Sequence, residues 1–268
     1  MGHHDLGWQA GVDGISVSLE NDHVATVTIS RPPDNFFDLD LLSNLADVFE
    51  ALDATPACRV IILRGEGRHF CAGARFDPDA GDLITQAGEH GNPLYAHAIR
   101  LAECALPVVA VIQGAAIGGG LGLALVADFR VAAPEARFAA NFARLGLHQG
   151  FGISATLPAV VGQQRALDLL YTGRRVSGAE ALEIGLCDRL VPMAQLLAEA
   201  HRLATDIATS APLAVRAIRA TLRGGLAERM RTATQREHRA QRELRQTRDF
   251  AEGVRAYAER RSPFFESR

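Results

Sequence analysis

Two stretches of small residues concentrate what this chain's backbone can do chemically: His69-Phe70-Cys71-Ala72-Gly73-Ala74 and Gln113-Gly114-Ala115-Ala116-Ile117-Gly118-Gly119-Gly120. Each follows an apolar run, Val60 to Leu63 and Val108 to Ile112. Neither run alternates with polar residues, as expected of strands covered on both faces. Small residues just past a strand's carboxyl end stand where open α/β sheets bind ligands, and they let backbone N–H groups approach closely. The second stretch also opens a predicted helix running through about Val126, where free N–H groups and the positive dipole end point outward. One N–H from each stretch would make an oxyanion hole for a thioester or ester carbonyl. Either stretch taken alone reads first as a tight turn or a close packing contact. A dinucleotide fingerprint does not fit, because G-x-G-x-x-G laid on position 118 meets Leu123.

The elements that must position these stretches follow from periodicity. Ile15, Val17 and Leu19 alternate with polar residues, Asn21-Asp22 turns, and Val24, Val27 and Ile29 continue the pattern. Two short strands are therefore predicted within residues 14–29, stopped by Pro32-Pro33. Asp38 is the N-cap of a helix over about residues 39–53, with Leu41, Leu45, Val48 and Leu52 on one face. Pro93 to Ala105 reads as a helix and Phe129 to Ala132 as a third buried strand. Ser177-Gly178-Ala179-Glu180 is a capping box that starts a short helix. Strand and helix alternate, so the core is α/β. Beyond Pro192 no strand is expected, and residues 193–261, rich in Ala, Leu and Arg, read as three or four helices. The division expected is a core over residues 1–192 and a helical region over 193–268.

Composition narrows the chemistry. The chain has 268 residues, 48% of them hydrophobic and 22% charged, with a formal net charge of −3. A chain of this make-up buries a sizeable core and has no net positive field to attract nucleic acid. All 28 Lys+Arg residues are arginines. That excludes a Schiff-base lysine, a pyridoxal phosphate enzyme and a phosphate-loop NTPase. Cys58, Cys71, Cys104 and Cys187 form no C-x-x-C, so they are expected to be reduced thiols, and no metal site is expected. Residues 1–10 lack an apolar signal core, and no apolar run reaches the roughly 20 residues that a membrane span needs. A cytoplasmic protein without a membrane or nucleic-acid partner is the expectation. From Arg216 onward 14 basic residues stand against 7 acidic ones, either a solvated helical face or a surface for an anionic ligand or acidic partner.

The two stretches, in the form HFCAGA and QGAAIGGGLGLALVADFRVAA, resemble those of the enoyl-CoA hydratase/isomerase (crotonase) superfamily. The resemblance extends through Arg31-Pro32-Pro33, Asn35, Phe142 to Leu147, Leu157-Pro158, Tyr171-Thr172-Gly173, Glu252-Gly253 and Tyr257 to Phe264. It implies a crotonase-like spiral of ββα units with a C-terminal helical region used in trimerisation, hence a homotrimer or homohexamer. It implies acyl-CoA thioesters as substrates, coenzyme A being carried as part of the substrate rather than as a separate cofactor, and an enolate-type intermediate. By position Ala74 and Gly119 supply the oxyanion N–H groups. Arg31, Asn35 and Ala72 resemble the loops that face the CoA arm, and Tyr257 and Arg260 match positions reaching a neighbouring subunit's nucleotide.

The chain also departs from the pattern. The resemblance places the two hydratase glutamates at Gly122 and Phe142, and an isomerase carboxylate at Gly150. None of these residues can transfer a proton. His148 is the first candidate to replace them, the alternative being a histidine hydrogen-bonded to backbone beneath the pocket. Arg75, Asp77 and Asp79 follow the first stretch as CoA contacts or solvated charges, and Glu89, His90 and His97 lie in or near a variable segment. Asp128 reads as structural. Two functions of different class follow: an acyl-CoA hydratase, isomerase or lyase-type enzyme, or a non-catalytic acyl-CoA-binding or assembly subunit.

Overall fold

The computed structural model describes residues 12–74 and 92–268. β1 (Ile15–Leu19) and β2 (Val24–Ile29) form an antiparallel hairpin with Ile15 opposite Ile29. α1 (Leu39–Asp53) begins at Asp38, whose carboxylate accepts the Leu41 N–H at 2.9 Å, and Leu41, Leu45, Val48 and Leu52 are buried along it. Then come β3 (Val60–Gly65), α2 (Pro93–Glu103), β4 (Val108–Ile112), β5 (Ala115–Ile117), α3 (Gly119–Val126), β6 (Phe129–Ala132) and β7 (Arg137–Ala139). α4 (Ile153–Val161), α5 (Gln163–Thr172), β8 (Arg175–Ser177), α6 (Gly178–Glu183) and β9 (Arg189–Leu190) follow. The chain ends in α7 (Leu196–Ala208), α8 (Pro212–Arg223), α9 (Leu226–Leu244) and α10 (Arg248–Ala258).

The main sheet has six strands in the order β1-β2-β3-β4-β6-β9, parallel throughout except for the β1–β2 pair. A second sheet, β5-β7-β8, stands where the chain leaves the main one. Successive side chains of a strand face opposite sides. Ile61 and Leu63 pack with α1, α2 and α3, whereas Val60 and Ile62 pack with Val109, Val111 and Val131 beneath α7. α7 covers that side through Leu196, Ala200, Leu203 and Ala204, at helical spacing. The apolar strand runs therefore have the cause inferred from the sequence: both faces of the sheet are covered.

α8 is built inside out. Its Arg216, Arg219 and Arg223 point inward. Arg216 pairs with Asp53 at 3.0 Å, and Arg219 and Arg223 pair with Asp128 at 2.9 and 3.2 Å. Asp128 also accepts the Val108 N–H at 2.8 Å, the structural role expected of it. Leu213, Ile218 and Leu222 on the other side are 82%, 58% and 77% exposed. No helix among the described residues is long and apolar enough to cross a membrane. All four cysteines are free and buried, and burial pushes the Cys71 thiol up to about 12.

Candidate active site

The two small-residue stretches meet. The Cys71 N–H donates to the Ala115 carbonyl at 3.0 Å, and the Ile117 N–H donates to the Cys71 carbonyl at 3.1 Å, a short parallel bridge. No side chain fits between them. A β-carbon on Gly120 would lie 2.1 Å from the Cys71 carbonyl oxygen, and one on Gly73 would lie 2.7 Å from that of Ile117 and 3.5 Å from the Gly119 nitrogen. Gly73 has φ 95° and Gly118 φ 55°, a backbone open mainly to glycine. Polar side chains hold the approach to this bridge. Asn35 is fully buried; its oxygen accepts the Arg31 N–H at 3.0 Å, and its amide donates to the Glu66 and His69 carbonyls at 2.8 and 2.7 Å. Gln113 donates to the Gly65 and His69 carbonyls at 2.8 and 2.9 Å, and His69 Nδ1 accepts the Ala115 N–H at 3.1 Å.

Ala72, Gly73 and Ala74 from the first stretch and Ile117, Gly118 and Gly119 from the second line one cavity of about 350 Å³. Phe36, Phe37, Phe142 and Phe151 supply aromatic walls, and Val254, Tyr257 and Ala258 of α10 close one side. Gly119 is the first residue of α3, so its N–H has no partner within the helix. Among the described residues no acceptor is recorded for the Ala74 or Gly119 N–H.

Of the residues singled out in the sequence, Ala72, Ala74, Gly119 and Tyr257 thus come together around the cavity. Arg31 and Asn35 do not line it: Arg31 pairs with Asp38 and with Asp13 at 3.5 Å, and the Asn35 amide is spent on the strand-exit loop. Arg260 follows α10, has φ 54° and is also absent from the lining. His148 is absent from the lining, and its Nδ1 lies 2.8 Å from the Gln149 carbonyl oxygen. Arg75, Asp77, Asp79, Glu89 and His90 lie outside the described residues. His97 Nδ1 is 3.1 Å from an Arg100 nitrogen, and no group among the described residues could hold a metal ion.

The three expected carboxylate positions are occupied physically by other groups. A β-carbon on Gly122 would lie 2.7 Å from a ring carbon of Phe151, and one on Gly150 2.1 Å from the Tyr95 hydroxyl. Phe142 lines the wall itself. The polar side chains lining the cavity are Tyr95, Asn141, Gln241 and Tyr257, with no carboxylate or imidazole among the described ones. The Tyr95 hydroxyl donates to Gln241 Oε1 at 2.7 Å, and Gln241 Nε2 donates to the His148 carbonyl at 2.9 Å. Burial and the nearby Glu237 carboxylate push the Tyr95 hydroxyl above its usual range, so it is a hydrogen-bond donor rather than a base. Tyr95, Gln241 and Phe151 were missed in the sequence. The one signal for Phe151 was its place between Gly150 and Gly152; Tyr95 and Gln241 meet only through the fold.

Comparison with known proteins agrees with this architecture. The sequence profile of enoyl-CoA hydratase/isomerase matches residues 20–268. The chain is 32% identical over 255 residues to the (E)-benzylidenesuccinyl-CoA hydratase of Thauera aromatica, covering 93% of this chain and 98% of that one. It is 34% identical over 266 residues to an enoyl-CoA isomerase/hydratase of Zymoseptoria tritici, covering 91% and 84%. The crystal structure of an enoyl-CoA hydratase/isomerase from Pseudoalteromonas atlantica superposes with a TM-score of 0.82 at 33% identity, covering 94% of this chain and all of that one. The chain belongs to the enoyl-CoA hydratase/isomerase family, whose members act on acyl-CoA thioesters, and it has the crotonase fold.

Proposed function

We propose that this protein binds an acyl-CoA thioester with its carbonyl oxygen between the Ala74 and Gly119 N–H groups and stabilises the enolate formed when a base, His148 being the candidate, takes up the α-proton. The meeting of these two backbone donors in one cavity carries the proposal. Charge develops on the carbonyl oxygen as the enolate forms, and donors fixed by a bridged backbone need no reorganisation to meet it. Tyr257 lines the same cavity, and Ala72 stands beside Ala74 along its wall. Their place in the lining supports a contact of both with the bound thioester. The chemistry is isomerisation or another enolate reaction rather than efficient hydration. Adding water needs a group that orients it and delivers a proton, and the described lining offers aromatic carbon where such groups would stand.

The same lining supports the second function, an acyl-CoA-binding or assembly subunit without turnover. Exchange of the acyl α-hydrogen in D2O separates the two. The enzyme incorporates deuterium into a bound acyl-CoA, read by mass shift, and a subunit that only binds does not. A panel of acyl-CoA esters that neither stabilises the protein against heat nor exchanges would sink both.

A homotrimer or homohexamer completes the proposal. The outward face of α8, with Leu213, Ile218 and Leu222, is a surface suited to a second copy of this chain. The buried free thiols support a reducing, cytoplasmic compartment.

A further inference from the structure

Phe151 is buried at 2% exposure in a conformation that costs energy. Its φ is 63°, and Gly152 after it has φ 73°, so two successive residues are left-handed, one of them a bulky side chain. Such strain persists only where the surroundings over-determine it. Here both sides of the turn are gripped. The Gly152 and Ser154 N–H groups donate to the buried Glu237 carboxylate at 2.8 and 2.9 Å. Ahead of the turn, Gly150 leaves no room for a side chain beside the Tyr95 hydroxyl, which Gln241 holds in turn. Glu237 and Gln241 both come from α9, so one helix fixes the turn from two sides.

This arrangement delivers the Phe151 ring to one place. The ring packs on Phe37 with centroids 5.5 Å apart and covers Gly122, three residues along α3 from Gly119. Three residues of helix span about 4.5 Å. Phe151 and Gly119 line the same cavity, so an acyl group that runs along α3 from a thioester carbonyl held at the Gly119 N–H would set its second and third carbons beside this ring. We propose that Phe151 is a specificity-determining residue: its ring is a fixed wall that admits acyl groups unbranched at those carbons and rejects branched ones. Tyr95, Gln241 and Glu237 are its positioning residues. The proposal rests on the acyl-CoA binding set out above.

The test compares two saturated esters, butyryl-CoA and isovaleryl-CoA, which differ by a methyl branch at the third carbon. Dissociation constants are measured by titration calorimetry with the full-length protein. The wild-type protein should prefer butyryl-CoA by about tenfold or more, the low end for one methyl in a shaped apolar pocket. Phe151→Ala should bring the two affinities to within about twofold of each other, mainly by tighter isovaleryl-CoA binding, an inference from the same contact. Phe151→Leu, which keeps an apolar side chain in the wall, should give an intermediate ratio and is the variant to use if the alanine protein does not fold. Equal binding of the two esters by the wild-type protein overturns the proposal, and so does an unchanged preference in a folded variant. If neither ester binds, the acyl-CoA assignment falls first and the wall with it, a result distinct from binding without discrimination.

Discussion

Gly119 is where the proposed oxyanion chemistry can be separated from packing. A β-carbon there would lie 2.4 Å from Phe37 Cζ, so any substitution must push that ring. Gly119→Ala and Gly119→Pro share this crowding, which costs about 1–3 kcal/mol of stability. Only proline removes the N–H, and the first helical position accepts its fixed φ. We expect the alanine protein to keep α-hydrogen exchange and the proline protein to lose a further ~100- to 1,000-fold. Exchange rates of the two folded variants, checked by circular dichroism, decide this, and equal rates would mean that this N–H is not the donor. Crotonyl-CoA hydration by the wild-type protein should be weak, and Gly122→Glu alone should not raise it, because Phe151 fills the space. Combining it with Phe151→Ala should raise the steady-state rate by about 100-fold, the low end for a positioned acid or base. The small-residue stretches, and Gly122, Phe142 and Gly150 at the positions where the resemblance expects acids, were legible in the sequence because they are local. What fills those positions was not: Tyr95 and Gln241 are 146 residues apart in the chain.

At the level of elements, capping chemistry was the most legible signal. Asp38 and Ser177 both cap helices as their spacing indicated, Ser177 accepting the Glu180 N–H at 3.2 Å. The buried strands β3, β4 and β6 stood out as unbroken apolar runs. β5, β7, β8 and β9 did not, since strands of two or three residues are too short to show alternation. Nor was α4 expected, with Pro158 inside it and a glycine before it. The orientation of α8 was hidden for another reason: arginines on a helix are normally its solvent face, and here they reach inward to acids on distant elements. Arg219 and Asp128 are each 11% exposed. Arg219→Ala should cost about 1–3 kcal/mol, the penalty for a buried charge that loses a hydrogen-bonded partner while Arg223 remains. The midpoint of urea unfolding measures it, and a shift within error would mean that Arg223 alone satisfies Asp128.

For the whole molecule, the four C-terminal helices divide their work. α7 completes the core beneath the sheet, α9 fixes the Phe151 turn, α10 walls the cavity and α8 presents apolar side chains outward. A second copy of the chain is the occupant that the proposed oligomer supplies. Replacing Ile218 and Leu222 by Glu should convert the assembly to monomers in light scattering at micromolar concentration. A wild-type monomer under those conditions, or an unchanged mass in the variant, would remove α8 from the interface.

The inward turn of the α8 arginines also bears on the proposed contact between copies of the chain. Its three guanidinium groups turn inward to two carboxylates, Asp53 and Asp128, and to backbone carbonyls of Cys104, Val126 and Ala127, so none of them stands on the outward face to guide or repel an approaching partner. Screening by ions within a Debye length of about 8 Å then has little to act on. Association through this face should hold as ionic strength rises, and sulfate, which strengthens apolar burial, should tighten it.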